Sequence, residues 1–287
     1  MAALAQSNAG NRFEKVISRN IYRAHNLESD LWDQFKTQTD FLFKNYVMHQ
    51  AMLMHEFERL CISNVDATFC LTEEDTRSLR RKYPTAKNLM TIPVGIFPSK
   101  MATLQDAGTK RPTDPNDKSS ALKLVWLGGM DWWPNEHGLD WFLETVWPDL
   151  LKRRKQVHLD VIGKGSLKKI KAPCEGISAH GFVQNPQDFL KMADLMIVPI
   201  FFGSGLRIKA LEGMSHGLAC LGTELGLTGL PTEGCWIAQD RESWLKILTT
   251  LSKENCRERG ALARGLVFLR HDPHKIAKIA ETTFDTL

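Results

Sequence analysis

The chain has 287 residues, 43% of them hydrophobic and 24% charged. That excludes collagen-like, mucin-like and disordered chains and leaves one large domain or two modest ones, with no need of a disulfide or metal to hold a core. The formal net charge of +4 falls well short of a nucleic-acid-binding signature, and no aromatic–basic RNA-binding motif is present, so no nucleic acid is expected as a partner.

In chain order, Met1 to Gly10 lacks the basic-then-apolar pattern of a signal peptide. Val16 to Ala24 predicts a strand, and Asp30 to Ser63 predicts a long helix rich in Leu, Phe and Met. Ala67 to Leu71 is a strand, Thr72 caps the helix that follows with Asp75 three residues on, and Leu89 to Ile92 is a short strand. Thr103 to Ser120 has no apolar run, contains Gly108, Pro112 and Pro115, and reads as a linker.

Beyond the linker, apolar runs alternate with helical patterns. Strands are predicted at Leu122 to Leu127, Val157 to Ile162, Ile177 to Val183, Leu195 to Pro199, Leu218 to Leu221 and Trp236 to Ala238. Helices are predicted at Glu136 to Arg153, Asn185 to Met192, Leu206 to His216, Glu242 to Ser252, Cys256 to Leu269 and Lys275 to Phe284. Near-continuously apolar strands alternating with helices predict a parallel sheet covered on both faces, with ligands bound beyond the carboxyl ends of the strands. That rule selects the loops at Gly128, Gly163, Phe202 and Thr223.

The densest pattern is PIFFGSGLRIKALEGM, residues 199 to 214. A buried strand ends at Pro199, and the glycines allow close backbone approach. Ser204 is placed to cap a helix whose free N–H groups favour an anion. Arg207 can grip phosphate oxygens in bidentate fashion, Lys209 adds a second charge, and Glu212 can only accept hydrogen bonds, which suits the two hydroxyls of a ribose. The bland alternative is a surface helix with a Lys209–Glu212 pair worth a few tenths of a kcal/mol. Position after a strand end and a Gly-Ser-Gly loop favours a nucleoside-diphosphate site.

The run GSGLRIKALEGMSHGLACLGTELGLTGL resembles the donor-site signature of GT-B glycosyltransferases of family 4, also called group 1. VWLGGMDWWPNEHGLDWFLETVWPDL, HLDVIGKG and AHGFVQNPQDFLKMADLMIVPI resemble the family's next donor elements, and RAHNLESDLW, DATFCLTEED and TIPVGIF resemble the end of its acceptor domain and the crossover. The resemblance is collinear from about Ile21 to Leu269. It implies an α/β chain of GT-B type: a partial N-terminal acceptor domain (1–102), a linker (103–120), a Rossmann-like donor domain (121–270) and a C-terminal helix returning to the N-terminal domain (271–287).

It also implies a retaining transferase that moves a sugar from a nucleotide-sugar to a polysaccharide or lipid-linked glycan, with no cofactor or metal, the nucleotide-sugar being a co-substrate. His25, Arg207, Lys209 and Glu212 match catalytic-centre positions. Gly128, Gly129, Gly163, Gly165, Ser204, Gly205 and Thr223 fall on donor-binding loops. In a retaining front-face transfer His25 would position groups and stabilise charge, although a lone histidine with Asn26 and Glu28 after it also fits a structural helix start.

Three departures from the family pattern stand out. Ser204 occupies the place of a frequent glutamate, the loop from Met130 to Asn135 carries no base, and Val94 replaces the usual Asn. The missing loop charges imply that Arg207 and Lys209 carry the diphosphate. Of Trp132 and Trp133, one is expected to pack on the adjacent helix with Trp141, and His271 and His274 are expected to face solvent. Six scattered cysteines without zinc spacing point to a reducing, cytoplasmic setting. Basic clusters at Arg77 to Lys82, Lys152 to Lys155 and Lys168 to Lys171 read either as solvated faces or as attraction to nucleotide diphosphates or the inner face of a membrane. Met1 to Lys15 holds no opening strand and Gly-rich loop, so a partner chain completing the N-terminal domain is an expectation, and a non-catalytic nucleotide-sugar-binding remnant is the alternative function.

Overall fold

A computed structural model describes residues 19–38, 41–97, 121–170 and 174–287; the expected linker lies outside the described residues. The N-terminal part contains β1 (Ile21–Ala24), α1 (Glu28–Gln38), α2 (Phe41–Ser63), β2 (Ala67–Cys70), α3 (Glu73–Lys82) and β3 (Leu89–Thr91). The three strands form a parallel sheet in the order β1-β2-β3. The single long helix predicted from Asp30 is two helices, and it begins earlier because the Leu27 carbonyl accepts the first helical bonds. Thr72 caps α3 as expected: its hydroxyl oxygen accepts from the Asp75 N–H at 3.0 Å. The basic run on α3 is paired locally, Arg77 with Glu74 and Lys82 with Asp30.

The larger part contains β4 (Leu122–Leu127), α4 (Trp133–Trp141), α5 (Trp147–Arg153), β5 (Val157–Ile162), α6 (Ser166–Lys169), β6 (Ile177–Gly181), α7 (Gln187–Met192), β7 (Leu195–Val198), α8 (Ile208–Ser215), β8 (Ala219–Gly222), β9 (Cys235–Ile237), α9 (Arg241–Thr250), α10 (Lys253–Arg270) and α11 (Pro273–Thr286). Its six strands are all parallel, in the order β6-β5-β4-β7-β8-β9. Side chains alternate between two cores. Leu122, Leu124, Trp126, Leu195 and Ile197 pack with Phe142, Trp147 and Trp244 on one face. Val125, Met196, Val198 and Cys220 pack with Leu211, Met214 and Val267 on the other. Burial of this kind stabilises by about 25 cal/mol per Å² of apolar surface, which is why short, wholly apolar strands suffice.

The predicted helix from Glu136 to Arg153 is interrupted. Residues Phe142–Val146 form a π-turn, and the Trp147 N–H reaches the Phe142 carbonyl. Pro148 is the cause: it has no N–H and its ring crowds the carbonyl four residues back, so the helix widens before it. Among the described residues no helix is long and apolar enough to cross a membrane.

α11 packs on the small sheet. Ile276 is buried with Ala67, Phe69 and Ile92, and Phe284 meets the Phe69 ring edge-on at 5.8 Å. His274 is exposed, but the expectation of a solvent-facing His271 fails. Its ring is buried, Nδ1 lies 2.9 Å from the Val94 carbonyl, and its own carbonyl accepts from the Ile96 N–H at 2.9 Å. Burial lowers the His271 pKa below the usual imidazole value, so folding favours the neutral ring. The unfolded chain then binds the extra proton, and this contribution is complete above about pH 6.5 and is lost as pH falls towards the depressed folded value. Thermal melting should weaken on acidification from pH 7 to 5, and in His271→Gln the acid-side slope should be shallower. An unchanged slope would refute this assignment.

Candidate active site

The strand order reverses between β4 and β7, since the chain runs outward from β4 through β5 and β6 and returns to start β7 on the other side. Crevices at such reversals, beyond the carboxyl ends of the strands, are where open α/β sheets bind ligands. Here the crevice is a cavity of ≈ 300 Å³ whose walls include Asn26, Trp132, Asn135, Leu206, Arg207 and Lys209.

Two glycine loops lie beside the crevice, next to its wall residues Leu127, Trp132 and Asn135, although none of Gly128, Gly129, Gly163 and Gly165 lines it. Beyond β4 and β5 the main chains stay paired: the Gly128 N–H reaches the Ile162 carbonyl and the Met130 N–H the Lys164 carbonyl, both at 2.9 Å. Gly163 has φ +144°, and a Cβ there would overlap the Gly128 carbonyl oxygen. The Asn135 amide donates to the Gly129 carbonyl at 3.0 Å. Gly165 also has a positive φ, +88°, and abuts Met130. The loop from Met130 to Asn135 has no base of its own, and Lys164 from the neighbouring loop pairs with its Asp131 at 2.9 Å.

The Gly-Ser-Gly loop lies on the other side, and all three residues are held by the N-terminal part. The Gly203 N–H donates to Gln34 Oε1 at 2.6 Å and its carbonyl accepts from Gln34 Nε2 at 3.4 Å. The Ser204 hydroxyl accepts from the Leu27 N–H at 2.7 Å and donates to the Leu27 carbonyl at 3.2 Å. The Gly205 N–H donates to Asp75 Oδ1 at 3.4 Å. Ser204 therefore does not cap α8. The helix begins at Ile208 with Arg207 in the capping position and no side-chain cap. The Ser204 hydroxyl instead satisfies both main-chain groups of Leu27.

Arg207 points into the crevice. Its Nε and Nη2 are buried with no hydrogen-bond partner, and its guanidinium lies 5.4 Å from the centre of the Trp132 ring. Burial pulls its pKa down to about 10, with the Asp75 charge opposing. Asp75 is itself raised above the usual carboxylate value by burial, against the hydrogen bonds from Thr72 and Gly205. Lys209 stands at the rim, lowered by partial desolvation and supported by Asp131 and Glu212. Buried charged donors without partners are costly and uncommon, and an anion would satisfy them.

The other predicted residues are less concentrated. Glu212 is half-buried one turn beyond Lys209. His25 is exposed at the end of β1, and its carbonyl lies 2.6 Å from where a Gly205 Cβ would stand, so it neighbours the loop. Thr223 is buried, and its hydroxyl donates to the Ile200 carbonyl and accepts from the Gly226 N–H at 2.9 Å. It holds the loop together and offers no free group to a donor, contrary to the sequence expectation. Neither adjacent tryptophan meets Trp141, which packs on Phe201 and Trp244. Trp133 instead contacts Phe35, His137 and Phe202 across the two parts of the chain. Gln34 and Asp75 carry no sequence signal for this role, because one sits inside a helix and the other resembles a capping residue. Among the described residues no group of three or more His, Cys, Asp or Glu side chains is placed to hold a metal ion.

A doubly wound parallel sheet with a cationic crevice at its reversal point, joined to a second parallel α/β sheet, defines an α/β protein of GT-B type. Residues 121–254 match the family described as glycosyl transferases group 1. Solved structures agree in fold. Sucrose-phosphate synthase from Thermosynechococcus elongatus is similar at 15% identity with a TM-score of 0.67, over 93% of this chain and 67% of that one. HepE from Anabaena, in complex with UDP and glucose, gives 13% and 0.65 over 93% and 71%. TarM from S. aureus, in a complex that includes UDP, gives 14% and 0.62 over 80% and 46%. The chain thus spans about half the length of TarM. No curated protein matches it.

Gly205 tests the clamp. With φ +79° and the His25 carbonyl and Asn26 side chain against its Cα, Gly205→Ala should lower unfolding free energy by more than about 1 kcal/mol in urea titration. A neutral effect would show that the close approach of the two parts is not maintained in solution.

Proposed function

We propose that the chain is a retaining glycosyltransferase that binds a nucleotide-sugar at the β4/β7 crevice and transfers the sugar to a polysaccharide or lipid-linked glycan. The observation that carries this reading is the pair of buried guanidinium nitrogens of Arg207, Nε and Nη2, that have no hydrogen-bond partner. Arg207 and Lys209 would hold the diphosphate and Glu212 the ribose hydroxyls, with the main chains at Gly128, Gly129, Gly163 and Gly165 beside the crevice. The acceptor oxygen would bond to the anomeric carbon on the face from which the carbon–phosphate-oxygen bond breaks. The departing diphosphate would take the acceptor proton, with Arg207 and Lys209 stabilising its charge and His25 positioning groups beside it. Among the described residues β1 lies at the edge of its sheet, where acceptor-side strands of a partner chain would add. The reaction would take place in the cytoplasm, either free or at the inner face of the membrane.

A second reading, donor binding without transfer, is favoured by one observation: the Ser204 hydroxyl is already committed to Leu27. Release or transfer of the sugar from a panel of nucleotide-sugars by purified protein separates the two readings.

Arg207→Ala should weaken nucleoside-diphosphate binding by roughly 2–5 kcal/mol in calorimetry, as for removal of one member of a buried charge pair. The same variant should keep or gain thermal stability without ligand, because it removes a desolvated guanidinium whose Nε and Nη2 have no hydrogen-bond partner. Unchanged affinity for UDP, GDP and ADP would sink the assignment.

A further inference from the structure

Helix α2 packs its Val47, Ala51, Glu58 and Ile62 face inward, and on its other side large apolar groups stand in solvent. Phe43, Tyr46 and Phe57 are each at least 60% exposed, and Leu53 and Leu60 are 51% and 45% exposed. With half-buried Gln50 they fall at intervals that alternate three and four residues: 43, 46, 50, 53, 57 and 60. That is the 3.5-residue period of a coiled-coil seam, not the 3.6-residue period of a helix packed on a globular core. An exposed apolar stripe of this length, interrupted by Gln50 and flanked by the exposed Met48 and Met52, marks an interaction surface.

We propose that α2 is a homodimer seam, on which a second copy of the chain packs its own α2 antiparallel. The stripe is self-complementary about a two-fold axis between Ala51 and Met52, as an isologous interface requires. Pairing about that point stacks Phe43 on Leu60 of the partner subunit, Tyr46 on Phe57 of the partner subunit and Gln50 on Leu53 of the partner subunit. All six positions are then used, each layer joining one seam position of each type. His49 flanks the seam on the same side as Glu56 of the partner subunit, and the contact occurs twice by symmetry. Gln50 beside the axis lies within reach of the partner subunit's Gln50, and a lone polar seam residue fixes register.

Charge favours a second copy over an anionic bilayer. α2 carries Lys44 and Arg59 against Glu56 and Glu58, and Arg59 grips Glu56 through two bonds of 2.7 and 2.6 Å. A helix docking on anionic lipid presents an excess of Lys and Arg on its polar face.

The test is sedimentation of the full chain across a concentration series. The expected result is a monomer–dimer equilibrium in the micromolar range, weakened at least tenfold by Leu53→Glu combined with Phe57→Glu, with the melting temperature unchanged when both proteins are measured well below the dissociation constant. Register is read by cysteine pairing, in a background with Cys61→Ser and Cys174→Ser. Tyr46→Cys with Phe57→Cys should oxidise to a covalent dimer. Tyr46→Cys alone should not, because in this register the two sites lie roughly 16 Å apart along the helices. A chain that stays monomeric at high concentration would overturn the proposal. So would cross-linking by the single cysteine, or a stripe that serves only to bind phosphatidylcholine–phosphatidylglycerol vesicles.

Discussion

The crevice depends on one interaction, the grip of the N-terminal part on three consecutive residues of the loop after β7. Gln34, Leu27 and Asp75 each take one of Gly203, Ser204 and Gly205. A loop with two residues at positive φ has many conformations available when free. Bonding it at every residue removes that freedom before any ligand arrives, so ligand binding need not supply the ordering entropy. The grip also buries Arg207: Asp75, which receives the Gly205 N–H, supplies the nearby negative charge that offsets the desolvated guanidinium.

Two kinds of positive charge are separated in this arrangement. Lys164 is exposed and already paired with Asp131, and in water such a pair contributes little. Arg207 is desolvated and held over Trp132, so its attraction to an anion is screened far less. The first loop can therefore lack a base without leaving the crevice uncharged. The charge comes from the opposite wall, from a guanidinium that lies over an aromatic ring.

Much of the larger part was legible in the sequence. LKLVWL and VHLDVI become β4 and β5 with the predicted ends, because a strand buried on both faces must be apolar almost throughout. The placement of Arg207 and Lys209 at the crevice was legible because Gly, Ser and charged residues follow a buried strand, whereas Glu212 lies a turn beyond its walls. Pairings between residues far apart in sequence were not. Ser204 before a helix reads as a cap, yet its partner is 177 positions away. His271 beside a proline in a polar stretch reads as exposed, yet Val94 and α11 enclose it. Thr223 follows a buried strand as a donor-loop residue would, yet its hydroxyl is taken by Ile200 and Gly226. The N-terminal strands are short and their helices carry apolar residues on two sides, so period alone did not divide α1 from α2.

The π-turn ahead of Pro148 has a consequence for comparing this chain with its relatives. A π-turn accommodates one residue beyond the count of a regular helix, so side chains after it are rotated by roughly 100° relative to an uninterrupted α-helix. That rotation brings Trp147, which in a regular helix would stand about 80° from Leu139, onto the face that enters the core with Leu139 and Phe142. A relative without the proline, whose helix is regular, should hold the same core with one residue fewer between the two groups. Aligned without a gap, the two sequences would match buried positions on one side of the turn and set core residues against solvent-facing ones on the other.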